Sequence, residues 1–169
     1  MHKNRKRNRL IGYDYSRNNL YFVTPCVKNR WCCLCKIIDG VMHKNIHGET
    51  VEMQWYWLLN QYPYVLSHAF VVMPNHAHGV LEIDDSLVSQ DAELPMKIKS
   101  LSELMGAFKT TSSKQMHIDG LEEFAWQRSF HDHIIRDEMG YENICHYIDT
   151  NPERWNEDKF YENDGLCIP

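Results

Sequence analysis

"HAFVVMPNHAHGVLEID", residues 68 to 84, decides the fold: two apolar runs flank the pair Pro74-Asn75. Runs this rich in branched and aromatic residues read as strands, over 64–74 and 76–84, and a connection this short makes them a hairpin. Side chains alternate across a strand. His76, His78, Val80 and Glu82 therefore share one face, and Ala77, Gly79, Leu81 and Ile83 the other. The second set is apolar and belongs against helices. The two imidazoles then stand side by side on the opposite face, on a strand rigid enough to hold them.

Outward from the hairpin, "NLYFVTPCV" (19–27) reads as an earlier strand. "GETVEMQWYWLLNQYP" (48–63) reads as a helix with Val51, Trp55, Leu58, Leu59 and Tyr62 on one stripe, closed by Pro63. After a polar loop at 84–96, a second helix is expected over 97–117, with Leu101, Leu104, Met105 and Phe108 inward. A fourth strand is expected over 125–137 and a third helix over 140–152, ended by Pro152. The order β-α-β-β-α-β, then a helix, is the split βαβ pattern. It implies an α+β, ferredoxin-like (RRM-like) antiparallel sheet, with two helices on one face and the last helix near the other. The boundaries that follow are an arm over 1–18, a domain over 19–156 and a tail over 157–169. No repeat or low-complexity linker divides the chain.

The chain has 169 residues, of which 43% are apolar, ordinary for a soluble globular domain. Its longest apolar run is far too short to span a membrane. The basic N-terminus is not followed by a hydrophobic segment, so a secretory signal is not expected. Four of the six cysteines crowd into "CVKNRWCCLC" (26–35). They lack paired C-x-x-C knuckles, and a reducing compartment disfavours disulfides, so the expectation is small, partly buried thiols on and after a strand rather than zinc ligands. Net charge is −5, whereas a protein that coats duplex DNA is usually basic overall. The charge is uneven: "HKNRKRNR" (2–9) is a basic arm, either a solvated tail or a phosphate-contacting segment.

Neutral imidazole is a common ligand for divalent metals. Alone, H-x-H is weak evidence, since a hydrogen-bonded surface pair explains it more simply, and "FHDH" offers a second pair, His131 and His133. The last helix adds what a metal site lacks. Ile144, Tyr147, Ile148 and Asn151 fall on one of its faces. The isoleucines would pin that face to the sheet, placing a phenol and an amide beside the contact. An amide oxygen completes a hard-cation site with two imidazoles, and a phenol there is a potential nucleophile.

The segments "GYDYSRNNLYFVTPCVKNR", "HAFVVMPNHAHGVLEI", "LSELMGAFKTTSSK", "WQRSFHDHIIRDE" and "YENICHYIDTNPERW" run in order from about residue 8 to 156. In combination they resemble the HUH-type single-tyrosine transposases, in particular the REP-associated tyrosine transposases of bacteria. The resemblance implies that His76 and His78 are metal ligands, that Asn151 supplies a third, and that Tyr147 is the nucleophile. It implies Mg2+ or Mn2+ as cofactor. It implies single-stranded DNA with hairpin elements as the partner, cut and rejoined through a 5′-phosphotyrosine. It implies a cytoplasmic, nucleoid-associated bacterial protein without a membrane partner, working as a monomer or homodimer. Ala77 is smaller than the bulky residue usual between the two histidines. Arg5, Arg7 and Arg9 of the arm, Lys109 and Lys114 of the second helix, and His131 and His133 become candidate DNA contacts. For the lysines a solvated helix face, and for the histidines a structural role, are the competing readings.

Two other functions compete. A non-catalytic single-stranded nucleic-acid binder on an RRM-like sheet would stack bases on sheet aromatics, and no such aromatic motif is present. A small zinc hydrolase would use H-E-x-x-H or a comparable acid–base motif, also absent.

Overall fold

The computed structural model describes residues 9–88 and 96–162. Its main sheet has four antiparallel strands: β1 (Asn19–Thr24), β4 (Val65–Met73), β5 (His76–Ile83) and β6 (His131–Ile135), in the order β4-β5-β1-β6. That is the expected split βαβ arrangement. Two further strands, β2 (Cys35–Ile38) and β3 (Val41–Lys44), form a separate hairpin that the periodicity reading left unassigned. Its turn is Asp39-Gly40, both with positive φ (51° and 75°), the geometry that twists a two-residue hairpin correctly.

Among the described residues three α-helices complete the fold, and each starts where a side chain caps it. Asn45 caps α1 (Ile46–Gln61), accepting from the amides of His47 and Gly48. Ser100 and Glu103 form a reciprocal capping box for α2 (Leu101–Ile118), which is why α2 begins four residues later than the expected 97. Asp137 caps α3 (Glu138–Thr150) through the amide of Gly140. The expected fourth strand over 125–137 is shorter in the structure. Trp126 instead makes an isolated bridge to Val27 before β6 begins.

Helices α1 and α2 cover one face of the sheet. Val51, Trp55 and Leu58 of α1, and Leu101, Leu104, Met105 and Phe108 of α2, are buried against Tyr21, Val23, Ala77, Leu81 and Ile83. A second apolar cluster fills the other face, where Ile148 of α3, Trp155 and Phe160 meet Val71, Met73, Val80 and Ile135. The alternation read along β5 therefore holds, and α3 occupies the face the helical pair leaves open. Packing runs across both expected boundaries: Tyr15 lies in the first cluster and Phe160 in the second. Among the described residues, no helix is long and apolar enough to cross a membrane.

Among the described residues, no three cysteines come together as a metal-binding group. Cys26 and Cys32 are buried on the α3 side, Cys33 on the opposite side, and Cys35 points its sulfur at the Val72 carbonyl.

Candidate metal and nucleophile site

Strand β5 begins at His76, directly after the tight turn at Pro74-Asn75, with Met73 opposite His76 and Val71 opposite His78. The two Nε2 atoms face each other 3.0 Å apart. Each ring is held from behind. Asn75 Oδ1 meets His76 Nδ1 at 2.8 Å, and Thr24 Oγ1 of β1 meets His78 Nδ1 at 2.7 Å. Such partners fix the orientation of ligand histidines. Phe22 stacks on His78, with ring centroids 5.3 Å apart.

Helix α3 delivers the phenol. Ile148 is fully buried against the sheet, which places Tyr147 Oη 3.3 Å from His78 Nε2 within one chain. After Pro152 the chain reverses through a 3-10 turn at Trp155–Glu157. Asp158 and Phe160 then fold back over the histidines. One Asp158 oxygen, Oδ2, accepts from both Tyr147 Oη (3.1 Å) and Asn151 Nδ2 (2.9 Å). The Phe160 ring centroid lies 4.7 Å from that of His76. Closure is complete: His76 is 0% exposed and His78 1%.

Burial sets the electrostatics. It holds the His76 ring down to about 3, with nearby Lys159 acting in the same direction. Burial, then repulsion from His76, keeps His78 well below the ordinary imidazole value. Both rings are neutral at pH 7, the form that ligates metals. Burial and then the Asp158 carboxylate push the Tyr147 phenol up to about 12.

These directions predict a pH dependence of stability. In the unfolded chain each ring takes a proton below about pH 6.5, but folded His76 does so only near 3. The contribution is fully present above 6.5 and is lost as pH falls towards the folded value. Between pH 6.5 and 5, His76 alone is expected to remove about 2 kcal/mol, with His78 acting in the same direction. Denaturant unfolding in EDTA at both pH values measures this. A flat profile over that interval would contradict buried neutral rings.

The donor set fits a divalent cation. His76, His78 and Asp158 bring one ligand atom each within 4.8 Å of one another, the only such group of three among the described residues. Asn151 Oδ1 is buried without a hydrogen-bond partner, as an oxygen awaiting a cation would be. Imidazole nitrogen with carboxylate and amide oxygen is a mixed set suited to Mn2+ and its neighbours.

The structure thus brings together His76, His78, Tyr147 and Asn151. Of the other described candidates, only His131 lies close by. Lys114 and Lys109 line an open groove of about 750 Å3 on the outer side of α2, with His117, Trp126 and Arg128. Lys109 is half-buried there, and its ammonium donates to the carbonyls of Gln127 (2.5 Å) and Arg128 (3.0 Å). His131 sits near the site, its ring centroid 5.7 Å from that of Phe160. Exposed His133, opposite Phe22 on β1, lines a smaller pocket with Asp132 and Arg136. Arg9 pairs with the buried Asp132 carboxylate at 3.6 Å and lies over the Phe130 ring. Arg5 and Arg7 fall outside the described residues. Sequence reasoning missed Thr24, Asn75 and Asp158. Asn75 directly precedes the histidine pair, but Asp158 belongs to an acidic stretch with no telling spacing.

No family model matches the chain. An uncharacterised protein of Haemophilus influenzae is 34% identical over 168 residues, covering 93% of each chain. A solved structure of a REP-associated tyrosine transposase bound to a REP hairpin aligns with TM-score 0.57 at 18% identity, over 94% of this chain and 77% of that one. A structure from Deinococcus radiodurans aligns at TM-score 0.48, too low to bear on the fold. The chain belongs to one family with the Haemophilus influenzae protein, and it carries the fold of the REP-associated tyrosine transposases.

Proposed function

We propose that the protein is a metal-dependent tyrosine transposase that cuts single-stranded DNA beside hairpins and rejoins it through a 5′-phosphotyrosine. One observation carries the reading: within a single chain a tyrosine hydroxyl lies 3.3 Å from one of two facing imidazoles, which are 3.0 Å apart. A monomer using its own Tyr147 is the form we propose for the chemistry.

His76 and His78, with Asn151 or Asp158, would hold Mg2+ or Mn2+, which when bound neutralises charge on a non-bridging phosphate oxygen. Tyr147 Oη attacks phosphorus, the bond from phosphorus to the 3′ oxygen breaks, and that oxygen leaves as a hydroxyl after taking up a proton. The phenol at about 12 is almost wholly protonated at neutral pH, so it needs an acceptor. Asp158 Oδ2 already accepts that proton's hydrogen bond. Attack by a 3′-hydroxyl of another strand on the phosphotyrosine reverses the step and joins DNA. With both histidines buried under the Phe160 ring, Phe160 has to move aside for a phosphate to reach them, while Asp158 stays beside Tyr147.

The groove beside α2 supports DNA as the partner. Lys109, Lys114 and Arg128 line it without a carboxylate, which suits a phosphate backbone. With Lys109 engaged by two carbonyls, Lys114 and Arg128 carry most of that attraction. His131, His133 and the arm with Arg5, Arg7 and Arg9 extend the candidate contact surface. The REP hairpin seen on the similar fold is that protein's ligand, and a hairpin is the partner we propose here. A cytoplasmic, nucleoid-associated location follows from that partner.

The test is incubation with Mn2+ and a hairpin-bearing oligonucleotide, read on a denaturing gel. A protein–DNA adduct that EDTA prevents is the expected result. Free hydrolysed product without an adduct, or no cleavage with any metal, would sink the proposal.

A further inference from the structure

The two histidines are held by partners of different kinds, and the difference fixes where their ring hydrogens lie. Asn75 Nδ2 donates to two carbonyls, Arg30 O at 3.2 Å and Phe160 O at 2.9 Å. Turning the amide over would set its oxygen against both carbonyls, so its orientation is determined. Oδ1 then faces His76 Nδ1 at 2.8 Å, and an amide oxygen only accepts. His76 therefore carries its hydrogen on Nδ1 and presents a bare lone pair at Nε2. If the segment with Phe160 lifts, the Arg30 carbonyl still holds the amide.

His78 is placed differently. Its Nε2 lies 3.0 Å from the lone pair of His76 Nε2. It also lies 3.3 Å from Tyr147 Oη, whose hydrogen points to Asp158. Two acceptors face this nitrogen, so without metal it carries the ring hydrogen. His78 Nδ1 is then bare and accepts from the Thr24 hydroxyl at 2.7 Å. A cation between the rings needs lone pairs on both Nε2 atoms. His76 already offers one. His78 offers one only after its hydrogen passes from Nε2 to Nδ1. A hydroxyl both donates and accepts, so Thr24 serves His78 in either state.

We propose that His78 changes tautomer when metal binds while His76 does not, with Asn75 and Thr24 as the positioning residues. When the segment with Phe160 lifts and water reaches the ring, its hydrogen leaves Nε2 and another is taken up at Nδ1, so the charge of the ring is unchanged. This rests on the reading of the histidines as metal ligands.

The test is long-range 1H–15N correlation on protein labelled at histidine nitrogen. Without metal, the expected result is His76 protonated at Nδ1 and His78 at Nε2. Adding Zn2+, a diamagnetic probe, should move the His78 hydrogen to Nδ1 and leave His76 unchanged. Thr24→Val keeps the shape but removes the hydroxyl, and should weaken Mn2+ binding by about 10–100-fold. Thr24→Ser should restore it to within about threefold. His76 protonated at Nε2, or His78 already at Nδ1 before metal is added, overturns the proposal. So does Thr24→Val binding Mn2+ like the wild type. Wild-type protein that binds neither metal overturns the ligand reading itself, and with it the switch.

Discussion

Tyr147→Phe is expected to lose covalent adduct formation by at least about 10³-fold while binding hairpin DNA and Mn2+ as the wild type does. The substitution removes only the oxygen. The ring keeps its place, 5.2 Å from the His78 ring and 6.2 Å from Phe22, so the face of α3 stays packed. Asp158 loses one donor but keeps two, the Asn151 amide and the Phe160 backbone N–H. The fold is therefore expected to survive, and binding and chemistry separate cleanly. Gel shift, metal titration and the denaturing gel together read all three quantities. An adduct that persists in the variant would move the nucleophile to another residue and remove Tyr147 from the mechanism.

Trp55→Ala should cost about 3–5 kcal/mol in denaturant unfolding. Trp55 lies under β5 where Gly79 leaves room between His78 and Val80. A Cβ at Gly79 would lie 2.4 Å from the Trp55 ring. The ring stacks on Phe70 at 4.3 Å, meets Phe108 edge-on at 5.7 Å and donates its N–H to Ser67 Oγ at 2.9 Å. Truncation opens a cavity in a fully buried position and takes a donor from Ser67. The reverse strain has the same origin, so Gly79→Ala should cost about 1–3 kcal/mol with Trp55 in place and less beside Trp55→Phe. A loss below about 1 kcal/mol in Trp55→Ala would show that the ring does not brace the histidine-bearing strand.

Much of this was legible because the relevant residues share single elements. A period of two along 76–83 separated the histidine face from the core face, and both clusters of buried residues agree with it. A helical period placed Ile144, Tyr147, Ile148 and Asn151 on one face, and Ile148 does pin that face to the sheet. The β2–β3 hairpin carries a strong turn signal, Asp39-Gly40 between apolar residues, but no period marks its strands. Its strands have only four residues each, too few for periodicity to register. The reach of Lys109 was also invisible, since the carbonyls that take its ammonium come from residues 127 and 128.

The sequence by itself determined the order of the four main-sheet strands and three helices, the faces that β5 and the helices present, and the four side chains that meet at the site. These follow from local geometry, in which position along an element sets direction. Only the tertiary structure decided that Asp158 joins them, that Thr24 and Asn75 orient the rings, and that the rings are closed off from solvent. Those facts depend on a chain reversal after Pro152 and on pairing between strands far apart in sequence. Such contacts are selected by the packing of the whole domain, and no local period encodes them.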